Sequence, residues 1–153
     1  ADRALVLEDP GLEAGGYGNK AGGEQYLSLA EAHHLATHGL DLVDANEAQV
    51  GPEETLARAK NVYPHGELVL QAYSWLRDLD LVPRTGLKFG VHFRVYKSRP
   101  GEGHAPFLVH ALPEAASWTY QDIARIVRLA HSVRKRAVVW TPRGAFTAAW
   151  TRP

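Results

Sequence analysis

Residues 85–110 read Thr-Gly-Leu-Lys-Phe-Gly-Val-His-Phe-Arg-Val-Tyr-Lys-Ser-Arg-Pro-Gly-Glu-Gly-His-Ala-Pro-Phe-Leu-Val-His. The first part alternates. Phe89, Val91, Phe93 and Val95 fall on one side, and Lys88, His92, Arg94 and Tyr96 on the other. Period two in aromatic and β-branched residues predicts a half-buried strand. Ser98 to Gly103 cannot continue it and reads as a loop. A second apolar run, Phe107 to Leu112, predicts the next strand. Tyr96 therefore ends one strand, and His104 leaves the loop beside it. A phenol and an imidazole on a cationic sheet face suit proton transfer near an anionic substrate.

Working outward, the downstream chain completes a mixed sheet with a helix on it. Ser117 or Thr119 caps a helix, with Asp122 three residues after Thr119. Ile123, Ile126, Val127, Ala130 and Val133 form its apolar stripe. Arg125, Arg128, His131, Arg134 and Lys135 crowd its end, where cations suit the helix dipole. Ala137–Trp140 is a strand, Thr141–Gly144 a turn, and Phe146–Trp150 a last strand.

Upstream, residues 4–29 suggest two short strands around glycine-rich turns. The spacing there is neither a phosphate loop nor a dinucleotide fingerprint. Ser28 with Glu31 predicts a capped helix over about residues 29–38, stopped by Gly39. Pro52-Glu53-Glu54 starts a second helix, and Glu67–Leu79 is a third. The fold class is α+β. A small N-terminal α/β domain of short strands and about three helices spans 1–82. A C-terminal mixed-sheet domain with one main packed helix spans 83–153.

The net charge of zero hides a split. Residues 1–82 carry five Lys+Arg against fourteen Asp+Glu, and residues 83–153 carry twelve against three. The second half can bind a polyanion; the halves could equally attract each other or a neighbouring subunit. With no Cys there is no disulfide framework or thiolate metal site. No run of about 18 apolar residues suggests a membrane span, and no signal peptide is evident, so a cytoplasmic protein is the simplest expectation.

Tyr96, His104 and Lys135 form the leading constellation. Cleavage of RNA by its own 2′-hydroxyl needs a base, an acid for the leaving 5′-oxygen, and a cation for transition-state charge. These three types can fill those roles without metal or other cofactor. Spacing alone favours the plainer reading: a strand-end aromatic, a loop histidine and a solvated helix-end lysine. Arg128 and Trp150 are a second pair, able to clamp a flipped base by cation–π and stacking contacts, or simply a surface arginine and a closing tryptophan. His34 and His38, with His33 and Glu31 near, have a zinc-compatible spacing but no third ligand, and a polar helix face is the better reading. His92, His110 and His131 read as structural. Lys88, Arg94, Lys97 and Arg99 are candidate phosphate contacts or an exposed sheet face.

Lys88–Tyr96, His104–His110 and Ile126–Lys135 together closely resemble the tRNA-splicing endonuclease (tRNA-intron lyase) family in its archaeal form. The Gly15–Gly23 region and Tyr26–Ala32 resemble that family's N-terminal domain, so the likeness covers nearly the whole chain. It implies cleavage of precursor tRNA at bulge–helix–bulge junctions, leaving a 2′,3′-cyclic phosphate and a 5′-hydroxyl, with no metal. The family's catalytic Tyr, His and Lys fall on Tyr96, His104 and Lys135 as base, acid and charge stabiliser. Its base clamp falls on Arg128 and Trp150. Members assemble from four similar units. The acidic loop that usually joins neighbours is replaced here by Thr141–Phe146, which has no acid. That departure points to a catalytic subunit needing a structural partner in an α2β2 heterotetramer, with a homotetramer as the other arrangement. The alternatives are a non-catalytic RNA-binding or assembly subunit of the same fold, and a metal-dependent nuclease. The latter is poorly served by the scattered Glu102, Glu114 and Asp122.

Overall fold

The structure, a computed structural model, describes residues 3–6, 10–44 and 46–151. Its architecture is α+β, with helices and two sheets among the described residues. The chain divides into two compact units, Ala1–Ser74 and Trp75–Pro153.

The first unit orders β1 (Arg3–Val6), α1 (Pro10–Ala14), β2 (Asn19–Ala21), β3 (Glu24–Ser28), α2 (Leu29–Thr37) and α3 (Pro52–Val62). Helix α4 (Gly66–Asp78) follows and runs through the division. The sheet is antiparallel in the order β1-β3-β2. Gly22 and Gly23, with φ of 63° and 85°, make the two-residue turn between β2 and β3. Alternating burial along β3 turns Leu27 into the core. Ser28 caps α2 in a full capping box with Glu31, as the spacing predicts. Gly39, at φ 90°, closes it. Helices α3 and α4 meet so closely that a Cβ on Gly66 would lie 2.2 Å from the Ala59 carbonyl oxygen. The short helix α1 has no counterpart in the sequence reading.

The second unit orders β4 (Val82–Thr85), a 3-10 turn (Leu87–Phe89), β5 (Phe93–Tyr96), β6 (Phe107–Ala111), α5 (Tyr120–Ser132), β7 (Arg136–Thr141) and β8 (Gly144–Ala148). Its sheet runs β4-β5-β6-β7-β8. Only β6 and β7 are parallel, and α5 makes the crossover that a parallel pair requires. Leu108 and Ala137 face α5 and pack with Val91, Ile126, Val127 and Ala130. Burying one such Ile or Leu side chain is worth about 1.5–3 kcal/mol, so this cluster fixes the helix on the sheet.

The second unit departs from the sequence reading at both ends of its sheet: the last strand is Gly144–Ala148, not Phe146–Trp150, because the chain turns as early as Pro142-Arg143. The alternation over residues 88–95 becomes a strand only at Phe93. Before it, Gly90 sits at φ 63°, and a Cβ on Gly86 would fall 2.8 Å from the Val91 carbonyl oxygen. The chain turns there, and the residues ahead of the turn form a fifth strand, β4, antiparallel to β5. Pro83 is tolerated because β4 is an edge strand.

Candidate active site

The sheet register brings the leading candidates to one end of the second unit. Val95 on β5 lies opposite Phe107 on β6, and Phe107 lies opposite Arg136 on β7. Tyr96 is the next residue beyond this row on β5, and Lys135 the next on β7. Between them, the Pro106 carbonyl accepts a bond from the Arg136 N–H at 2.9 Å. Two strand spacings separate Tyr96 from Lys135, about 10 Å between backbones. His104 lies two residues before Pro106, in the exposed loop entering β6.

Lys135 is held from two directions. Its Nζ donates to the Ala105 carbonyl at 2.6 Å, tying it to the residue after His104. A charge-assisted bond of this kind is worth about 1.5–3 kcal/mol. Its backbone N–H donates to the Ala130 carbonyl at 2.7 Å, while the Arg134 N–H donates to His131 at 3.0 Å. That pattern is a Schellman motif, with Arg134 at φ 56° in the left-handed position usually filled by Gly. A cation, an imidazole-bearing loop and a phenol thus share one sheet end, where proton transfer beside a phosphate is chemically feasible.

Tyr96 is half-buried and its hydroxyl makes no hydrogen bond among the described residues. Its ring lies under the guanidinium of Arg94, 5.8 Å from Cζ to centroid. The second pair is brought together as well. Arg128, exposed on α5, lies over the Trp150 ring at 5.8 Å. Trp150 is 48% exposed, so the pair faces solvent and a base could insert there.

The tRNA intron endonuclease catalytic C-terminal domain matches residues 67–145. A tRNA-splicing endonuclease of Hyperthermus butylicus is 37% identical over 134 residues, which are 83% of this chain and 74% of that one. The chain belongs to the tRNA intron endonuclease family. The tRNA-splicing endonucleases of Methanococcoides burtonii and Halobacterium salinarum are 33% and 39% identical over 88% and 90% of this chain. This chain spans only 41% and 42% of those two relatives. The family match includes Tyr96, His104, Arg128 and Lys135 and stops short of Trp150.

Five other histidines are engaged elsewhere. In the first unit His34 is buried, with Nδ1 3.2 Å from Ser74 Oγ and its ring edge-on to Tyr73. His38 donates from Nδ1 to the His34 carbonyl at 2.7 Å. His33 Nδ1 lies 2.8 Å from Thr55 Oγ1. Burial lowers the His33 pKa below the ordinary imidazole value, partly offset by the Pro52 carbonyl. No group of three or more potential ligands is gathered among the described residues.

In the second unit His92 and His110 stack at 4.5 Å, and His110 packs on Trp118 at 5.5 Å. His92 Nδ1 accepts from the Ala111 N–H at 2.9 Å. Burial, then the charge of Arg125, push the His110 pKa down. Two contributors escape a sequence reading: the Ala105 carbonyl and the Arg134 backbone. The only sequence trace of the latter is a helix running into a strand through Val133-Arg134-Lys135-Arg136 with no Gly or Pro.

Proposed function

We propose that this chain is the catalytic subunit of a tRNA-splicing endonuclease that cuts precursor tRNA at bulge–helix–bulge junctions without metal. The observation that carries it is the register row that gathers Tyr96, the His104 loop and Lys135, with Lys135 bonded to Ala105 at 2.6 Å. In this reading Tyr96 takes the proton of the 2′-hydroxyl. The 2′-oxygen then bonds to the adjacent phosphorus, and the bond from phosphorus to the 5′-oxygen breaks. His104 protonates that leaving oxygen, and Lys135 balances the extra negative charge on the phosphoryl oxygens. The products are a 2′,3′-cyclic phosphate and a 5′-hydroxyl. Arg128 and Trp150 grip a bulge base from their exposed position.

The assembly reading rests on the last hairpin. Its turn is only Pro142-Arg143, and Arg143 pairs with Glu114 at 2.9 Å. That hairpin offers no acidic loop to a neighbour, which favours a partner chain that supplies one. Strand β8 is an uncharged sheet edge with Phe146 54% exposed, suited to burial in such an assembly.

The test is cleavage of a bulge–helix–bulge RNA in EDTA by the protein purified with its own companions. Wild type should give cyclic-phosphate ends, and His104→Ala should cut about 100-fold to 10,000-fold more slowly with RNA affinity kept. Equal cutting by both would assign the activity to another chain. Loss of wild-type cutting in EDTA that added metal restores would point to a metal-dependent nuclease.

A further inference from the structure

Arg94 is an anomaly on the sheet. Its side chain points to the α5 face, in a row with Leu108 and Ala137 and directly opposite Arg84 on β4. Like charges placed opposite each other in a sheet are destabilising. The Arg94 Nε is buried with no hydrogen-bond partner. Among the described residues no carboxylate pairs with this guanidinium, which lies over the Tyr96 ring at 5.8 Å. Residues 83–153 contain only Glu102, Glu114 and Asp122 as acids, and two are committed: Glu114 to Arg143, Asp122 to the Thr119 cap. A half-buried, unpaired cation works against folding, and an apolar residue would fit a row of Leu and Ala better. The side chain beside it on the same face is Tyr96.

We propose that Arg94 is a positioning residue for Tyr96, holding the ring from the same sheet face and placing positive charge beside the negative charge that cleavage gathers at the Tyr96 end of the site. The inference rests on the reading of Tyr96 as the base. A preorganised cation aimed at developing charge acts on the chemical step, not on binding. A neutral side chain would leave Tyr96 in place but poorly oriented.

The test is a double-mutant cycle in single-turnover cleavage of the bulge–helix–bulge RNA, using the protein with any subunits that accompany it. Arg94→Met should lower the rate at saturating protein about tenfold to 100-fold, with RNA affinity within about threefold. Arg94→Lys, which keeps the charge, should recover most of the loss. In a Tyr96→Phe background, Arg94→Met should change the remaining rate by less than about threefold, since the residue it serves is gone. If Arg94→Met proves insoluble, Arg94→Gln enters the same cycle. An unchanged rate, an equal loss in both backgrounds, or weaker affinity with the saturated rate intact would each overturn the inference. The last two would make Arg94 a packing residue or a phosphate contact. Tyr96→Phe is run alone as a control: if it cut like wild type, the reading of Tyr96 as base would fall, and the role of Arg94 with it.

Discussion

Helices α2 and α5 use the same devices at both ends but put different residues in the left-handed position that closes them. Each opens on a capping box, Ser28 with Glu31 and Thr119 with Asp122. Each closes on a Schellman motif. In α2 the Leu40 N–H donates to Leu35 at 3.0 Å and the Gly39 N–H to Ala36 at 3.2 Å. In α5 Lys135 and Arg134 make the corresponding bonds. The left-handed position is Gly39 in one and Arg134 in the other. A side chain there costs about 1 kcal/mol relative to Gly. The helix that only shapes the first unit avoids this strain. The helix whose end carries Lys135 keeps it.

The boxes differ in depth, and that sets the largest expected effect. Glu31 is 1% exposed and accepts from the Ser28 N–H at 2.7 Å and the Gly18 N–H at 3.0 Å. It therefore ties the glycine-rich turn to the helix start. Glu31→Ala strands both donors and should destabilise the protein by about 3 kcal/mol, read as a lower urea midpoint. Asp122 is only half-buried and bonds only within its own cap, so Asp122→Ala should shift the midpoint much less. Equal shifts would break the distinction between a cap that holds a loop and a cap that holds a helix.

The C-terminal ends give the next effect, with opposite signs. Arg134→Gly should raise stability by about 0.5–1 kcal/mol by relieving the left-handed side chain. Gly39→Ala should lower it by about 1 kcal/mol, although a Cβ there meets no neighbour within 4 Å. Thermal unfolding of both variants separates backbone strain from packing. A destabilised Arg134→Gly would mean that the arginine side chain itself holds the helix end.

What the sequence revealed and what it hid follow the same division between local and distant causes. Both capping boxes and the Pro52 helix start are legible because each lies within three or four residues of chain. Strand β4 is not. Val82-Pro83-Arg84-Thr85 has no strand pattern of its own and becomes one only by pairing with β5. At the site, spacing does not single out Tyr96, His104 and Lys135, and only the family resemblance points to them. What joins Lys135 to the His104 loop is a bond to Ala105 across 30 residues, and no local pattern announces it. The Arg128–Trp150 stack likewise depends on the sheet returning the chain end to α5.

The smallest effect concerns the stacked histidines under α5. His110 faces His92 just ahead of β5, Trp118 ahead of α5 and the charge of Arg125 on α5, and its buried Nδ1 has no partner. Burial first, and Arg125 second, lower its pKa in the folded state. The unfolded chain then takes up a proton near pH 6.5 that the folded protein resists. Stability is therefore complete above that point, falls as pH drops through it, and stops falling once the folded state also protonates. His33, shifted in the same direction by burial, adds to the slope. His110→Leu removes one titration and leaves the other. Between about pH 7.5 and about pH 5.5, the urea midpoint of His110→Leu should fall less than that of wild type, but should still fall. An unchanged acid loss would show that His110 tolerates its charge, and that the stack beneath α5 is softer than its neighbours suggest.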